Sequence, residues 1–169
     1  MKFKIATPQE AESLARYFGH LSEETRSYFA PHPFDLATIT SICNGDFRGY
    51  RAFIGLKDLE AIAYTVIKND MDQGELDRFT SYSVQINLQE DFILAPSVAD
   101  AFQSKGIGSE LLAFVEAELK KLGAARIILW GGVQARNQRA VRYYQKNGFQ
   151  TLGSFWYDGL DNLDMIKNL

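Results

Sequence analysis

Gln103-Ser104-Lys105-Gly106-Ile107-Gly108-Ser109 is the stretch that decides how this chain is read. An apolar run, Phe92-Ile93-Leu94-Ala95-Pro96-Ser97-Val98, precedes it and is short enough for a buried strand. After it Leu111, Leu112, Val115, Leu119 and Leu122 recur at helical spacing, with Glu110, Glu116, Glu118, Lys120 and Lys121 elsewhere on the wheel. A strand therefore feeds a glycine-bearing loop, and the loop feeds a helix. The first turn of a helix presents N–H groups without intrahelical partners and a partial positive charge. Glycines at 106 and 108 remove the Cβ atoms that would hold a bulky anion away from those donors. The stretch predicts a phosphate cradle that needs few basic side chains.

Two common phosphate loops do not fit. The dinucleotide fingerprint needs a third glycine where Leu111 stands, and a P-loop needs its lysine after the last glycine, whereas Lys105 precedes Gly106. Gln103-x-x-Gly106-x-Gly108 resembles instead the acyl-CoA pyrophosphate loop of the GNAT (Gcn5-related N-acetyltransferase) family, with Val98 at the last apolar position of that family's central strand. A second signature follows in the right order: Asn137, Ala140, Tyr144, Gly148 and Phe149 reproduce Asn-x-x-Ala-x-x-x-Tyr-x-x-x-Gly-Phe. The resemblance is close over residues 92–157 and general in pattern before them.

Composition agrees with a folded domain. The 169 residues, 46% hydrophobic with 12 Phe and 8 Tyr, suffice for one core without staples. A net charge of −3 speaks against a general nucleic-acid binder. No apolar run approaches a membrane span and the start, Met1-Lys2-Phe3-Lys4-Ile5, has no signal-peptide core. One cysteine allows no internal disulfide, so a cytoplasmic setting is expected.

In chain order the pattern predicts a strand over Phe3 to Ala6, then Thr7-Pro8-Gln9-Glu10 as a capping box opening a helix that ends at Gly19. Ser22 caps a short helix to Tyr28, and Asp35 starts another that buries Leu36, Ile39 and Ile42. Tyr50 to Leu56 and Ala61 to Ile67 read as a hairpin. Lys68 to Phe79 reads as a loop or short helix, and the alternation of Tyr82, Val84, Ile86 and Leu88 as a half-exposed strand. Arg126 to Trp130 is a strand that Gly131-Gly132 weakens or bulges. Asn137 to Lys146 is a helix, Phe149 to Tyr157 a strand, Asp158-Gly159 a turn and Asp164 to Lys167 a last strand. The alternation predicts one α/β domain over 1–169. The resemblance sharpens this to a mixed, twisted sheet with helices on both faces and a splayed central strand pair.

The resemblance implies direct transfer of an acetyl group from acetyl-CoA to a primary amine, without metal or covalent enzyme intermediate. Ser104, Lys105, Gly106, Ile107, Gly108 and Ser109, entered through Gln103, would bind the pyrophosphate. The edge from Leu94 to Val98 would pair with the pantetheine arm, facing the strand that ends near Gly131. Pro96 departs from the pattern by removing one N–H there, and fits a role in marking the splay. Tyr144 takes the family position of the general acid that protonates the leaving thiolate. Asn137 and Ala140 would border the cofactor, Asn137 also serving as a helix N-cap. Phe92 stands where some members carry a catalytic glutamate, which leaves Glu90 and Asp91 as nearest candidates for the base, Glu75 and Asp77 as more distant ones, or an ordered water chain or backbone carbonyl.

Other residues read more plainly. Cys43 packs as a small hydrophobe. His20 and His32 look like loop residues. Arg136, Arg139 and Arg142, three apart, form a solvated basic face or meet a nucleotide phosphate. Trp130 and Trp156 line core or pocket. The segments 19–42 and 68–81 would select the amine, with Tyr17, Phe18, Tyr28, Phe29, Phe34 and Phe79 in or beside them. A GNAT-fold acyl-CoA sensor or a module without catalysis are the alternatives, and the exposed aromatics would permit a homodimer.

Overall fold

The computed structural model describes every residue from Met1 to Leu169. The chain forms two compact units, one of residues 1–68 and 95–118, the other of residues 69–94 and 119–169. No helix is long and apolar enough to cross a membrane.

The first unit opens with β1 (Lys2–Ile5) and the expected capping box: Thr7 donates its N–H and hydroxyl to Glu10 Oε2, at 2.9 and 2.7 Å. This turn launches α1 (Ala11–Gly19), which buries Leu14 and Phe18. Ser22 caps α2 (Glu23–Tyr28), accepting from the Thr25 N–H at 3.2 Å, and Asp35 caps α3 (Leu36–Asn44) through the Thr38 N–H at 2.9 Å. Ile39 and Ile42 are buried as expected; Leu36 is not, because as the first residue of α3 it lies beside the cap rather than over the core. β2 (Arg51–Lys57) and β3 (Glu60–Lys68) form the hairpin, and β1 pairs antiparallel with β2. The later half of β4 (Asp91–Val98) and most of α5 (Ile107–Lys121) complete this unit, with Phe114 packing on Phe3 and Phe53.

Phe18 anchors an aromatic cluster with Phe29, Phe34 and Tyr64, its ring 4.3 Å from and parallel to that of Phe34. His32 is a loop residue, as expected, but a buried one, 7% exposed inside this cluster. Its Nδ1–H donates to Pro33 O at 2.7 Å, because a carbonyl can only accept, so Nε2 accepts the Tyr64 hydroxyl at 2.8 Å. Burial holds the His32 pKa below its usual value, which keeps the ring neutral.

In the second unit Asp91 to Leu94 of β4 pair parallel with β5 (Arg126–Leu129), and β5 pairs antiparallel with β8 (Leu160–Asn168). β8 also takes β6 (Val133–Gln134) and, along its length, β7 (Gln150–Tyr157). The sheet is mixed, as expected, and the last strand is longer than expected. The cross-strand row Ile93, Ile128, Ile166 is covered by Phe79 of α4 (Gln73–Ser81), the helical alternative for that segment. Arg78 of α4 meets buried Asp164 at 2.6 Å and lies 3.8 Å over the Phe155 ring.

Residues 82–88 correct the expected strand. Tyr82, Val84 and Ile86 alternate because they lie on that isoleucine row, not because they pair within the sheet. Their backbone is satisfied otherwise: the Val84 N–H donates to Phe79 O and Gln85 O accepts from Arg126. A period of two reports a segment with one face on a core, whether or not a neighbouring strand exists.

Gly131 and Gly132 interrupt the chain between β5 and β6 with φ of 64° and 67°. An added Cβ at Gly132 would lie 2.6 Å from Leu163 O, a backbone atom of β8. Gly132→Ala is expected to destabilise the fold by about 2 kcal/mol or more through left-handed strain plus that collision, read as a lowered urea midpoint at unchanged slope.

Candidate functional site

The parallel ladder of β4 ends abruptly. Its last register pair is Leu94 with Leu129, and the Trp130 N–H closes it on Leu94 O at 2.9 Å. Backbone groups of a strand alternate between its edges. Leu94, Pro96 and Val98 thus address one edge and Ala95, Ser97 and Ala99 the other, where the Ala99 N–H donates to Ile62 O. On the first edge Pro96 has no N–H to give, at the first such position after the ladder stops. The proline fits the expected splay: it removes the donor that would carry pairing onward.

Just past β4, Gln103 Nε2 donates to Val98 O at 3.0 Å and reaches Thr25 Oγ1 at 3.3 Å and Asp100 Oδ1 at 3.4 Å. The loop then turns through Ser104 and Gly106, both left-handed at φ 59° and 87°. An added Cβ on Gly106 would meet only Glu110 Oε1, at 4.0 Å, so within the chain the backbone conformation, not crowding, reserves that position for glycine. Gly106 O accepts from the Ser109 and Glu110 N–H groups, which starts α5. The Lys105 ammonium turns back onto Ala101 O at 2.7 Å, beside the Phe102 ring. The loop offers main-chain donors at the head of α5, with Ile107 buried beneath it.

The second signature lies in the other unit. Asn137 caps α6 (Gln138–Lys146), its Oδ1 accepting from the Ala140 N–H at 3.1 Å. Tyr144 and Val141 form the buried face of α6. The Tyr144 ring meets Tyr143 and Phe149 edge-on at 5.0 and 5.3 Å. Burial, then the neighbouring Tyr143, pushes its pKa far above the ordinary phenol value, so it stays a proton donor across the neutral range. No group of the chain hydrogen-bonds its hydroxyl. Tyr17 differs. Its pKa is also raised by burial, but its hydroxyl is engaged with Ser97 Oγ at 2.8 Å.

Among the expected carboxylates, Asp91 is 1% exposed and fully used. It takes Arg126 Nε at 2.8 Å and Nη2 at 2.5 Å, and accepts the Asn87 N–H at 2.7 Å. That is the setting of a structural anchor, and it speaks against the proposed role as base. Glu90 has an exposed side chain, its backbone carbonyl accepting from Ala125 and Arg126. At about 3.3 Å per residue the head of β4 lies about 13 Å along the strand from Ala95. Glu75 belongs to the α4 capping box with Asp72, and Asp77 accepts from Gln73.

Two further readings change and a third holds. Arg136 precedes the α6 cap and bonds Gln134, so only Arg139 and Arg142 share the exposed helical face. Trp156 is not core: it is 75% exposed on β7, next to exposed Tyr157. Cys43 does pack partly buried, and burial lifts its pKa to about 11, an unreactive thiol. Spacing gave no hint of Asp100, whose partners Ser22 and Thr25 lie 78 and 75 residues away.

Comparison with known proteins follows the same outline. The profile of the acetyltransferase (GNAT) family matches residues 16–149. Curated proteins give no match by sequence. Among solved structures, the ribosomal-protein-alanine N-acetyltransferase from Brucella melitensis superposes with a TM-score of 0.76 at 20% identity, covering 100% of both chains. The yncA protein from Salmonella typhimurium, solved with its cofactor acetyl-CoA, gives 0.72 at 17% identity over 100% of this chain and 94% of that one. The aminoglycoside acetyltransferase AAC(6')-Ib in complex with coenzyme A gives 0.73 at 18% identity over 99% and 94%. At these identities the likeness is one of fold.

Proposed function

Because the chain belongs to the acetyltransferase (GNAT) family, we propose that it transfers the acetyl group of acetyl-CoA directly to a primary amine. The observation that supports this most is the Gln103–Ser109 loop: a left-handed turn at Gly106 that opens α5 on the connection from β4. Main-chain donors at the head of α5 suit the cofactor's pyrophosphate, and the β4 edge beyond Leu94 suits the amides of its pantetheine arm. Val98 and Ser104 to Ser109 are assigned to the cofactor, as are Asn137 and Ala140 at the head of α6.

In the reaction the amine nitrogen attacks the thioester carbonyl, a C–N bond forms, and the tetrahedral adduct collapses with loss of the C–S bond. Tyr144 gives its proton to the departing thiolate, and its burial suits this role because the phenol reaches the reaction protonated. The amine proton leaves through water, with Glu90 as the exposed carboxylate left to receive it once Asp91 is committed to Arg126. Primary amine acceptors agree with two of the similar folds, named for acetylating a ribosomal-protein alanine and aminoglycosides. Phe34, the partly exposed ring stacked on buried Phe18, supplies apolar surface for the acceptor.

Thiol release from acetyl-CoA, followed with polyamines, aminoglycosides, amino acids and peptides, tests the reading. Release that depends on an added primary amine, with the acetylated amine found by mass spectrometry, is the expected result. Bound acetyl-CoA with no amine-dependent release across that panel would favour an acyl-CoA sensor.

A further inference from the structure

α2 is a helix of six residues, too short to be stable on its own, and of these only Thr25 is buried. Two polar tethers hold it. Arg26 Nη2 donates to Phe18 O at 2.8 Å and Gly19 O at 2.9 Å, at the end of α1. The other tether is Asp100, which follows β4 by two residues. Its Oδ2 accepts the Ser22 N–H at 3.0 Å, and its Oδ1 accepts the Ser22 hydroxyl at 2.8 Å and the Thr25 hydroxyl at 2.6 Å. Burial raises the Asp100 pKa, yet the bonds from Thr25 and Ser22 outweigh it and hold the carboxyl below its usual value.

The same hub carries the first residue of the cofactor loop. Gln103 Nε2 has two hydrogens, and its acceptors are Val98 O, Thr25 Oγ1 and Asp100 Oδ1. One end of Gln103 thus holds β4, Thr25 and Asp100 together, while its main chain enters the Ser104–Gly106 turn.

We propose that Asp100, with Gln103, is a positioning residue that couples occupation of the cofactor loop to the placement of α2. The inference rests on the acetyl-CoA reading above. An anion held by the loop's N–H groups restrains the loop, and with it the Gln103 backbone from which the side chain reaches Thr25 and Asp100. If loop order and α2 docking share those bonds, each stabilises the other, and the effect is reciprocal. Cofactor binding then completes the acceptor wall.

Hydrogen exchange of backbone amides in α2 reads this directly, with coenzyme A as the probe and calorimetry to establish saturation. In the wild type, coenzyme A is expected to slow exchange over residues 23–28 by about fivefold or more. In Asp100→Ala exchange in α2 is fast and no longer responds to bound coenzyme A, whereas Arg26→Ala, which loosens α2 from α1 only, keeps the response. Thr25→Val removes the shared hydroxyl at nearly constant shape and should blunt the response even if Asp100→Ala does not fold. Saturating coenzyme A without slowing in the wild type, or equal slowing in Thr25→Val, overturns the coupling and leaves the acetyltransferase reading standing. Failure of coenzyme A to bind the wild type overturns both.

Discussion

On the proposed chemistry, Tyr144→Phe is expected to lower the rate of acetyl transfer by about 10²-fold or more, the range for loss of a general acid, with acetyl-CoA bound as before. The structure makes this a clean substitution. Phenylalanine keeps the edge contacts to Tyr143 and Phe149, and the hydroxyl it removes bonds no group of the chain. Thermal stability should therefore hold, within about 0.5 kcal/mol, as for a change that opens neither a cavity nor a polar vacancy. A fall in kcat with unchanged acetyl-CoA affinity assigns the hydroxyl to the chemical step. Full activity in Tyr144→Phe would move protonation of the thiolate to water. The raised pKa has a second consequence, with a definite sign. The folded chain holds this proton more tightly than the unfolded one, so the stability it confers is complete below the ordinary phenol pKa and is lost as the pH rises through the alkaline range.

Asp91→Ala should be the more damaging change to the fold. It leaves the Asn87 N–H unpaired and takes the carboxylate from the Arg126 guanidinium at the head of β4, where Asp91 is 1% exposed. Arg126 is itself a quarter exposed and keeps its bond to Gln85 O, so the cost is that of the orphaned Asn87 N–H and a lost charge-assisted contact, about 1–3 kcal/mol. The urea midpoint falls accordingly. Replacing both partners at once, Asp91→Leu with Arg126→Met, is expected to recover much of the loss, because a buried ion pair is close to neutral against an apolar pair of similar volume. The result separates two roles for Asp91. An anchor shows as lost stability with kcat retained in the folded fraction; a base would show as lost kcat in the isosteric Asp91→Asn at nearly unchanged midpoint.

What the chain disclosed about itself follows the range of its interactions. Caps and glycine stops are decided within a few residues, so Thr7 with Glu10, Ser22, Asp35 and Asn137 were all legible as written. The strand, loop and helix around Gln103 to Ser109 were legible for the same reason. Tyr82 to Leu88 was misread because its alternation is real but serves a face of the isoleucine row rather than a ladder. Of the two expectations for Trp156, core or pocket, the first fails because an aromatic residue carries no mark of which side of an edge strand it takes. The Asp91–Arg126 pair and the Asp100 hub join residues far apart in sequence, and no local pattern announces them. A carboxylate at the head of a strand looks the same on paper whether it awaits a proton or a guanidinium.

If the Gly106 turn holds the pyrophosphate of acetyl-CoA, calorimetric titration of two variants of that residue shows it. Gly106→Asn and Gly106→Asp both place a short side chain that tolerates the left-handed backbone, and they differ in charge. The wild type is expected to bind acetyl-CoA, with Gly106→Asp weaker than Gly106→Asn by about tenfold or more, as for a unit charge a few ångströms from the phosphates. Absence of binding by the wild type, or equal affinities for the two variants, would take the phosphate away from the Gly106 turn.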